Sequence, residues 1–150
     1  MKVEIIAEIG QNHNGDIDLA KQLIEKAKTN GADAAKFQVY DAKKLFPPKA
    51  ENEWYDYNCK TELKKDQVIE LSNFCKDINI EFIASVFDSS RVEWLELINV
   101  KRYKIASRSI LDKYLIESVI KTKKPILISL GMWEDKKFPD FKCENKIDFL

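Results

Sequence analysis

The feature that most constrains this chain is its alternation of short apolar, β-branched runs with longer amphipathic segments. The runs are Val3 to Ile9, Ala34 to Tyr40, Glu81 to Phe87, Tyr103 to Ala106 and Ile126 to Leu130, and a sixth begins at Ile147. Between them, residues 16–30 place Ile17, Ala20, Leu23, Ile24 and Ala27 on one stripe, with Lys and Glu opposite. Residues 64–78 repeat the pattern with Val68, Leu71, Phe74 and Cys75, and residues 90–98 and 110–121 do the same. Apolar spacing of three and four predicts helices. Strict β-α alternation predicts parallel strands joined by crossover helices. Asp16 is placed to cap the first helix, Gly31 to stop it, and Pro125 to break a lysine run directly before the fifth strand. The stretch from Asp41 to Leu63 has no clear period. It carries Leu45-Phe46-Pro47-Pro48-Lys49 and the aromatic cluster Trp54-Tyr55-Asp56-Tyr57, and it reads as a long loop, either a functional lid or a packing cover.

Composition removes several function classes. Apolar residues make up 45% and charged residues 33%, which suits a packed globular chain rather than a disordered one. A formal net charge of zero and the lack of a basic stripe exclude the usual footprint of a nucleic-acid or anionic-membrane binder. The local patches Lys121-Thr122-Lys123-Lys124 and Asp135-Lys136-Lys137 read as solvated helix-end or loop segments. Cys59, Cys75 and Cys143 form no C-x-x-C pair, so neither a zinc site nor a disulfide framework is expected, and reduced thiols in a cytoplasm are. Glu4 and Glu8 interrupt the first apolar run, which is therefore no signal peptide, and no stretch reaches membrane-spanning length.

Parallel strands covered on both faces should be almost wholly apolar. Here each of the five full runs carries polar residues near its C-terminal end, where they are costly unless paired or facing an active site. The first run ends Ala7-Glu8-Ile9-Gly10, followed by Gln11-Asn12-His13-Asn14-Gly15. The second reads Ala35-Lys36-Phe37-Gln38, with Lys36 and Gln38 on one face. The third ends Ala84-Ser85-Val86-Phe87-Asp88, the fourth reads Tyr103-Lys104-Ile105-Ala106-Ser107-Arg108-Ser109, and the fifth ends Ile128-Ser129-Leu130-Gly131-Met132. Two lysines, three or more serines and one carboxylate would converge on one mouth, a set suited to a phosphorylated, carboxylated substrate. Taken singly, each has a plainer reading. Glu8 could be an exposed strand-end acid, Lys36 and Lys104 could reach to water, Gln38 could bond backbone, and Ser85, Ser107 and Ser129 could satisfy local amides. Asn12, Asn14 and Gly15 shape a turn and cap a helix. His13, the single histidine, is a poor metal candidate alone.

These motifs, in order and spacing, resemble the N-acetylneuraminate synthase family, which includes pseudaminate, legionaminate and spore-coat polysaccharide relatives. The resemblance implies an α/β fold, a (β/α)8 TIM barrel, of which residues 1–150 would supply about the first five to six β/α units. A closed barrel needs eight strands in about 250 residues. The remaining strands and a small C-terminal antifreeze-like domain would lie outside this chain. It implies condensation of phosphoenolpyruvate with an N-acetylated amino sugar, N-acetylmannosamine or a relative, to a nonulosonic acid with release of phosphate. By resemblance, Lys104, Ser107, Ser129 and Ser85 would hold phosphoenolpyruvate, and Lys36 would lie by the same anion. Gln38 would lie by the sugar, and Glu8 would be the acid/base. A divalent metal, manganese or magnesium, would be held by histidines of later strands, and the complete enzyme would be a homodimer with an arginine donated across it. Arg108-Ser109 and Leu130 depart from the commoner residues at their positions and leave the sugar open. The alternatives are an inactive fragment kept as a ligand-binding or assembly module, and another barrel carbon–carbon bond enzyme such as a Schiff-base aldolase using Lys36 or Lys104. An incomplete barrel would also expose strand edges and apolar helix faces, so self-association is expected.

Overall fold

The computed structural model describes residues 3–45 and 53–150. Its sheet has the strand order β1-β2-β3-β4-β5-β6, with β1 at Ile6–Gly10, β2 at Ala34–Val39, β3 at Glu81–Val86, β4 at Tyr103–Ile105, β5 at Ile126–Ile128 and β6 at Ile147–Phe149. The pairs β1–β2, β3–β4, β4–β5 and β5–β6 are parallel. Parallel strands taken in sequence order are the pattern of successive units of a (β/α) barrel. All six expected strands are present. The first is shorter than the apolar run, because Val3 and Ile5 have exposed side chains, while the Ile5 backbone is tied to Asp33 and Ala34 by hydrogen bonds.

The chain divides into two compact units, Met1–Ala84 and Ser85–Leu150. In the first unit, α1 (Ile17–Thr29) opens with the Asp16 carboxylate accepting from the Leu19 N–H at 3.0 Å. It ends at the Asn30 cap just before Gly31, as its sequence signals require. Its fully buried Ala20 and Ile24 face the sheet. The fourth helix, α4 (Lys65–Asp77), is started by the Gln67 side chain accepting from the Lys64 N–H at 2.8 Å. Val68, Leu71 and Cys75 are its buried stripe. Burial pushes the Cys75 thiol up to about 12, so it behaves as a small apolar group.

The segment expected to be a long loop is helical on both sides of residues 46–52. Ala42–Leu45 forms α2 and Glu53–Thr61 forms α3, while Phe46, Pro47, Pro48 and Lys49 lie outside the described residues. The reason is visible on α3. Its inward stripe is Asn58 and Thr61, 4% and 0% exposed, so the buried face is polar and leaves no apolar period to read. Asn58 donates to the Trp54 carbonyl and Thr61 to the Tyr57 carbonyl, each one helical turn back.

In the second unit, α5 (Ser89–Leu97) is capped by Asp88 and α6 (Lys113–Ile120) by Asp112. Buried Tyr103 of β4 donates to Glu96 of α5 at 2.6 Å, and Lys124 reaches the same carboxylate oxygen at 2.7 Å. Burial raises the Tyr103 phenol, which stays a donor. Lys124 is thus a structural cation rather than a freely solvated one, while Lys121 does serve as the C-cap of α6. Residues 129–146 join β5 to β6 without a helix. Asn145 secures this connection by donating to the carbonyls of Ile120 and Lys124, and Phe138 stacks on Phe149 at 5.0 Å.

One close approach ties the first β-α turn to α3. A Cβ built on Gly15, at φ +82°, would stand 2.3 Å from the Lys60 carbonyl oxygen. Gly15→Ala is expected to lower stability by about 2–4 kcal/mol, combining positive-φ strain with displacement of backbone. A urea midpoint within error of wild type would contradict this.

Candidate functional site

The polar strand ends form two sets, one in each unit. In the first, parallel register sets Glu8 of β1 opposite Lys36 of β2, and the two side chains form an ion pair. The Glu8 side chain is 52% exposed and that of Lys36 12%, so the acid faces solvent while its cation is sunk into the sheet end. The register shifts between Glu8 and Gly10, a bulge that re-aims the strand end. Gly10 sits at φ +55° on this bulge, and a Cβ there would lie 3.2 Å from Glu8 Oε1 and 3.7 Å from Gln38 Nε2. The missing side chain therefore leaves a small hollow with a carboxylate and a carboxamide on its rim. Glu8, Lys36 and Gln38 are brought together as expected.

A second layer, which sequence reasoning did not assign, supports this strand end. Gln11 Nε2 lies 2.5 Å from Tyr40 Oη, 2.8 Å from Asn58 Oδ1 and 2.9 Å from Thr61 Oγ1. Its two N–H bonds are shared among three acceptors. Tyr40 Oη is also within hydrogen-bond distance of the Asn58 carbonyl and of Thr61 Oγ1. Burial raises the Tyr40 phenol, which keeps its proton and can serve as donor and acceptor in the network. The available signal was Asn58 and Thr61 at a spacing of three, opposite a tyrosine at a strand end.

The turn between β1 and α1 is built as its residues suggest. Asn12, Asn14 and Asp16 N–H groups donate back to Ile9, Gln11 and His13 carbonyls. His13 is fully buried beside Phe37, and its Nδ1 accepts from the Gly15 N–H at 3.1 Å. Its Nε2 has no hydrogen-bond partner among the described residues. The ring is held neutral, with its pKa lowered by burial.

In the second unit, Lys104 is 5% exposed, and its ammonium donates to Ser129 Oγ at 2.5 Å and to the Ile105 carbonyl at 2.8 Å. Register sets buried Ser85 of β3 opposite Lys104. Ser107 opens a 3-10 turn, Ser107–Ser109, directly after β4. Its Oγ lies 3.7 Å from where a Gly131 Cβ would be, two residues past Ser129. A buried ammonium beside strand-end hydroxyls is a natural anion seat. Among the described residues no group of three or more His, Cys, Asp or Glu side chains could hold a metal ion, and His13 has Nδ1 already engaged. No described helix is long and apolar enough to cross a membrane.

Comparison with known proteins adds independent findings. Residues 23–139 match the model of the NeuB family. N-acetylneuraminate-9-phosphate synthase of Mus musculus is 39% identical over 139 residues, covering 85% of this chain and 39% of that protein. N,N'-diacetyllegionaminic acid synthase of Legionella pneumophila is 36% identical over 140 residues, again 85% of this chain and 39% of the relative. The crystal structure of N-acetylneuraminic acid synthetase from Leptospira borgpetersenii, in complex with citrate, superposes with a TM-score of 0.84 at 32% identity. That match covers 89% of this chain and 46% of the Leptospira chain. The chain thus spans about two fifths of the length of these curated relatives and under half of the Leptospira chain.

The buried histidine yields a pH prediction. Its folded pKa lies below the unfolded value, so the unfolded chain binds more protons as pH falls through that window. The contribution of neutral His13 is complete above about pH 6.5, the ordinary histidine value, and is lost as pH falls through the lowered folded pKa. Carboxylates titrate in the lower part of the same range, so the comparison is with His13→Asn, which keeps an acceptor for Gly15 but does not titrate. Urea unfolding between pH 7 and pH 5 should show a smaller loss of stability in the variant; equal slopes would refute the assignment.

Proposed function

The chain belongs to the NeuB family, and from that premise we propose that it is the N-terminal barrel portion of a phosphoenolpyruvate-dependent sialic-acid-type synthase. The remaining strands and a C-terminal antifreeze-like domain would be supplied by further sequence. The proposed reaction joins C3 of phosphoenolpyruvate to the aldehyde carbon of an open-chain N-acetylated amino sugar, N-acetylmannosamine or a relative. Water adds at C2, and the C–O bond to phosphate breaks, leaving a nonulosonic acid and inorganic phosphate. The observation that carries this reading is the buried Lys104 ammonium seated on Ser129 beside Ser85.

In this reading Lys104, Ser85, Ser107 and Ser129 bind the phosphate and carboxylate of phosphoenolpyruvate. Hydroxyl and ammonium donors held at fixed positions, with Lys104 and Ser85 buried, suit an anion because they replace its hydration and need no reorganisation as charge moves. Glu8 acts as acid/base, with Lys36 orienting it through their ion pair. By resemblance, Lys36 would also lie by the same anion. Gln38, on the rim of the Gly10 hollow, offers a carboxamide to the sugar. A Schiff-base mechanism is less well supported, since Lys36 is held in an ion pair with Glu8 and Lys104 already donates to two oxygens.

The resemblance also implies a divalent metal, manganese or magnesium. The described residues do not form a site for one, so no step is assigned to it here and its ligands are expected in further sequence. A homodimer and a cytoplasmic location complete the proposal.

The test is phosphate release from phosphoenolpyruvate by the product of the complete gene, with manganese and a panel of N-acetylated amino sugars. Release that requires both substrates is expected. Lys104→Met should then lower kcat/KM for phosphoenolpyruvate by at least about a hundredfold, as expected when a charge-assisted contact to a reacting anion is removed. Sugar-dependent release unchanged in that variant would remove Lys104 from the site, and no release with any sugar would remove the reaction.

A further inference from the structure

We propose that Trp54 and Tyr57 of α3 form an aromatic side wall of the acceptor-sugar subsite, an inference that rests on the amino-sugar reading above. The face of α3 that carries Trp54, Tyr57, Asn58 and Thr61 is one stripe at spacings of three and four. At its C-terminal end Asn58 and Thr61 are buried on Gln11 and Tyr40. The same face therefore looks toward the end of β1 along its length. Its N-terminal end emerges from the packing, with Tyr57 36% and Trp54 70% exposed. Tyr57 Oη lies 3.5 Å from the Gln11 carbonyl oxygen. Gln11 directly follows Gly10, whose hollow is rimmed by Glu8 and Gln38. The two rings meet edge to face, centroids 6.4 Å apart, which fixes their planes relative to each other.

The indole buries little of its surface, and α3 is already anchored by its polar end. An exposed indole set edge to face on Tyr57, whose hydroxyl reaches Gln11 next to the Gly10 hollow, has the make-up of one wall of a carbohydrate subsite. Polar groups fix the hydroxyls, while an aromatic face takes the apolar C–H face of the chain or the methyl of an N-acetyl group. The chemistry recognised would be an N-acetylated amino sugar. Phosphoenolpyruvate, small and anionic, has no such face, so the wall should act on one substrate only.

The experiment uses the product of the complete gene and the amino sugar that wild type turns over best. Trp54→Ala should raise KM for that sugar about five- to tenfold, the scale of one aromatic contact, and leave KM for phosphoenolpyruvate within about twofold of wild type. Trp54→Phe should recover most of the loss, because a flat apolar face returns. Trp54 is the exposed one of three tryptophans, so the sugar alone should perturb intrinsic fluorescence in wild type and much less in Trp54→Phe. An active enzyme whose sugar KM is unmoved by Trp54→Ala overturns the wall and leaves the reaction standing. Equal rises in both KM values, or no recovery with Phe, indicate a structural role and also overturn it. Absence of phosphate release in wild type with every sugar removes the reaction and the wall together.

Discussion

Parallel pairing in register decides where this chain can put a polar side chain. A strand covered on both faces offers no water to a lysine or a carboxylate except at its ends, and successive side chains alternate faces with a period of two. Glu8 opposite Lys36, and Lys104 opposite Ser85, follow directly from that register. A slip of one residue on β2 would send Lys36 and Gln38 into the apolar layer now occupied by Phe37 and its stacking partner Phe82. The chemistry at the strand ends and the apolar layer behind them are therefore set by one geometric fact.

Much of this was legible in the sequence because it depends on periodicity. The strands and the helices α1, α4, α5 and α6 bury apolar stripes, and an apolar stripe announces itself by spacing. Helix α3 was not legible for the same reason, since its buried face is Asn58 and Thr61. The residues that could have revealed it, Gln11 and Tyr40, are forty-odd and about twenty positions away, in separate elements. Polar networks are specified by partners rather than by period, and a single sequence does not announce partners. The Gly10 hollow was hidden in another way. A glycine at the end of an apolar run reads as a strand stop, whereas here it is the space that lets a carboxylate and a carboxamide approach one point.

The tie between Gln11 and α3 also explains why an apparently irregular connection ends in a helix packed on the strand end. Buried hydrogen bonds contribute modestly when made, but leaving their partners unmade costs the full desolvation of each group. Gln11, Tyr40, Asn58 and Thr61 satisfy one another, so removing any one strands the others. Such a cluster favours a single arrangement of α3 over many near-equivalent ones. The steric closure at Gly15, where the backbone of α3 comes too close for any side chain, acts in the same direction.

The two sets of strand-end residues differ in electrostatic character, and the difference matters for what each can bind. Glu8 and Lys36 cancel in charge, and Gln38 is neutral, so this set presents directional hydrogen bonding with little net field. Lys104 has hydroxyl and carbonyl oxygens among its partners, and Ser85 and Ser129 bring no charge of their own. The first set suits a neutral polyhydroxylated ligand, for which geometry must do the discriminating. The second suits an anion, for which attraction is strong and selectivity comes from the number and direction of donors. Under the proposed reaction, a neutral amino sugar and a phosphorylated carboxylate would call for that division. The proposed aromatic wall would belong with the neutral set, because a ligand without charge has to be held by its shape and its apolar face.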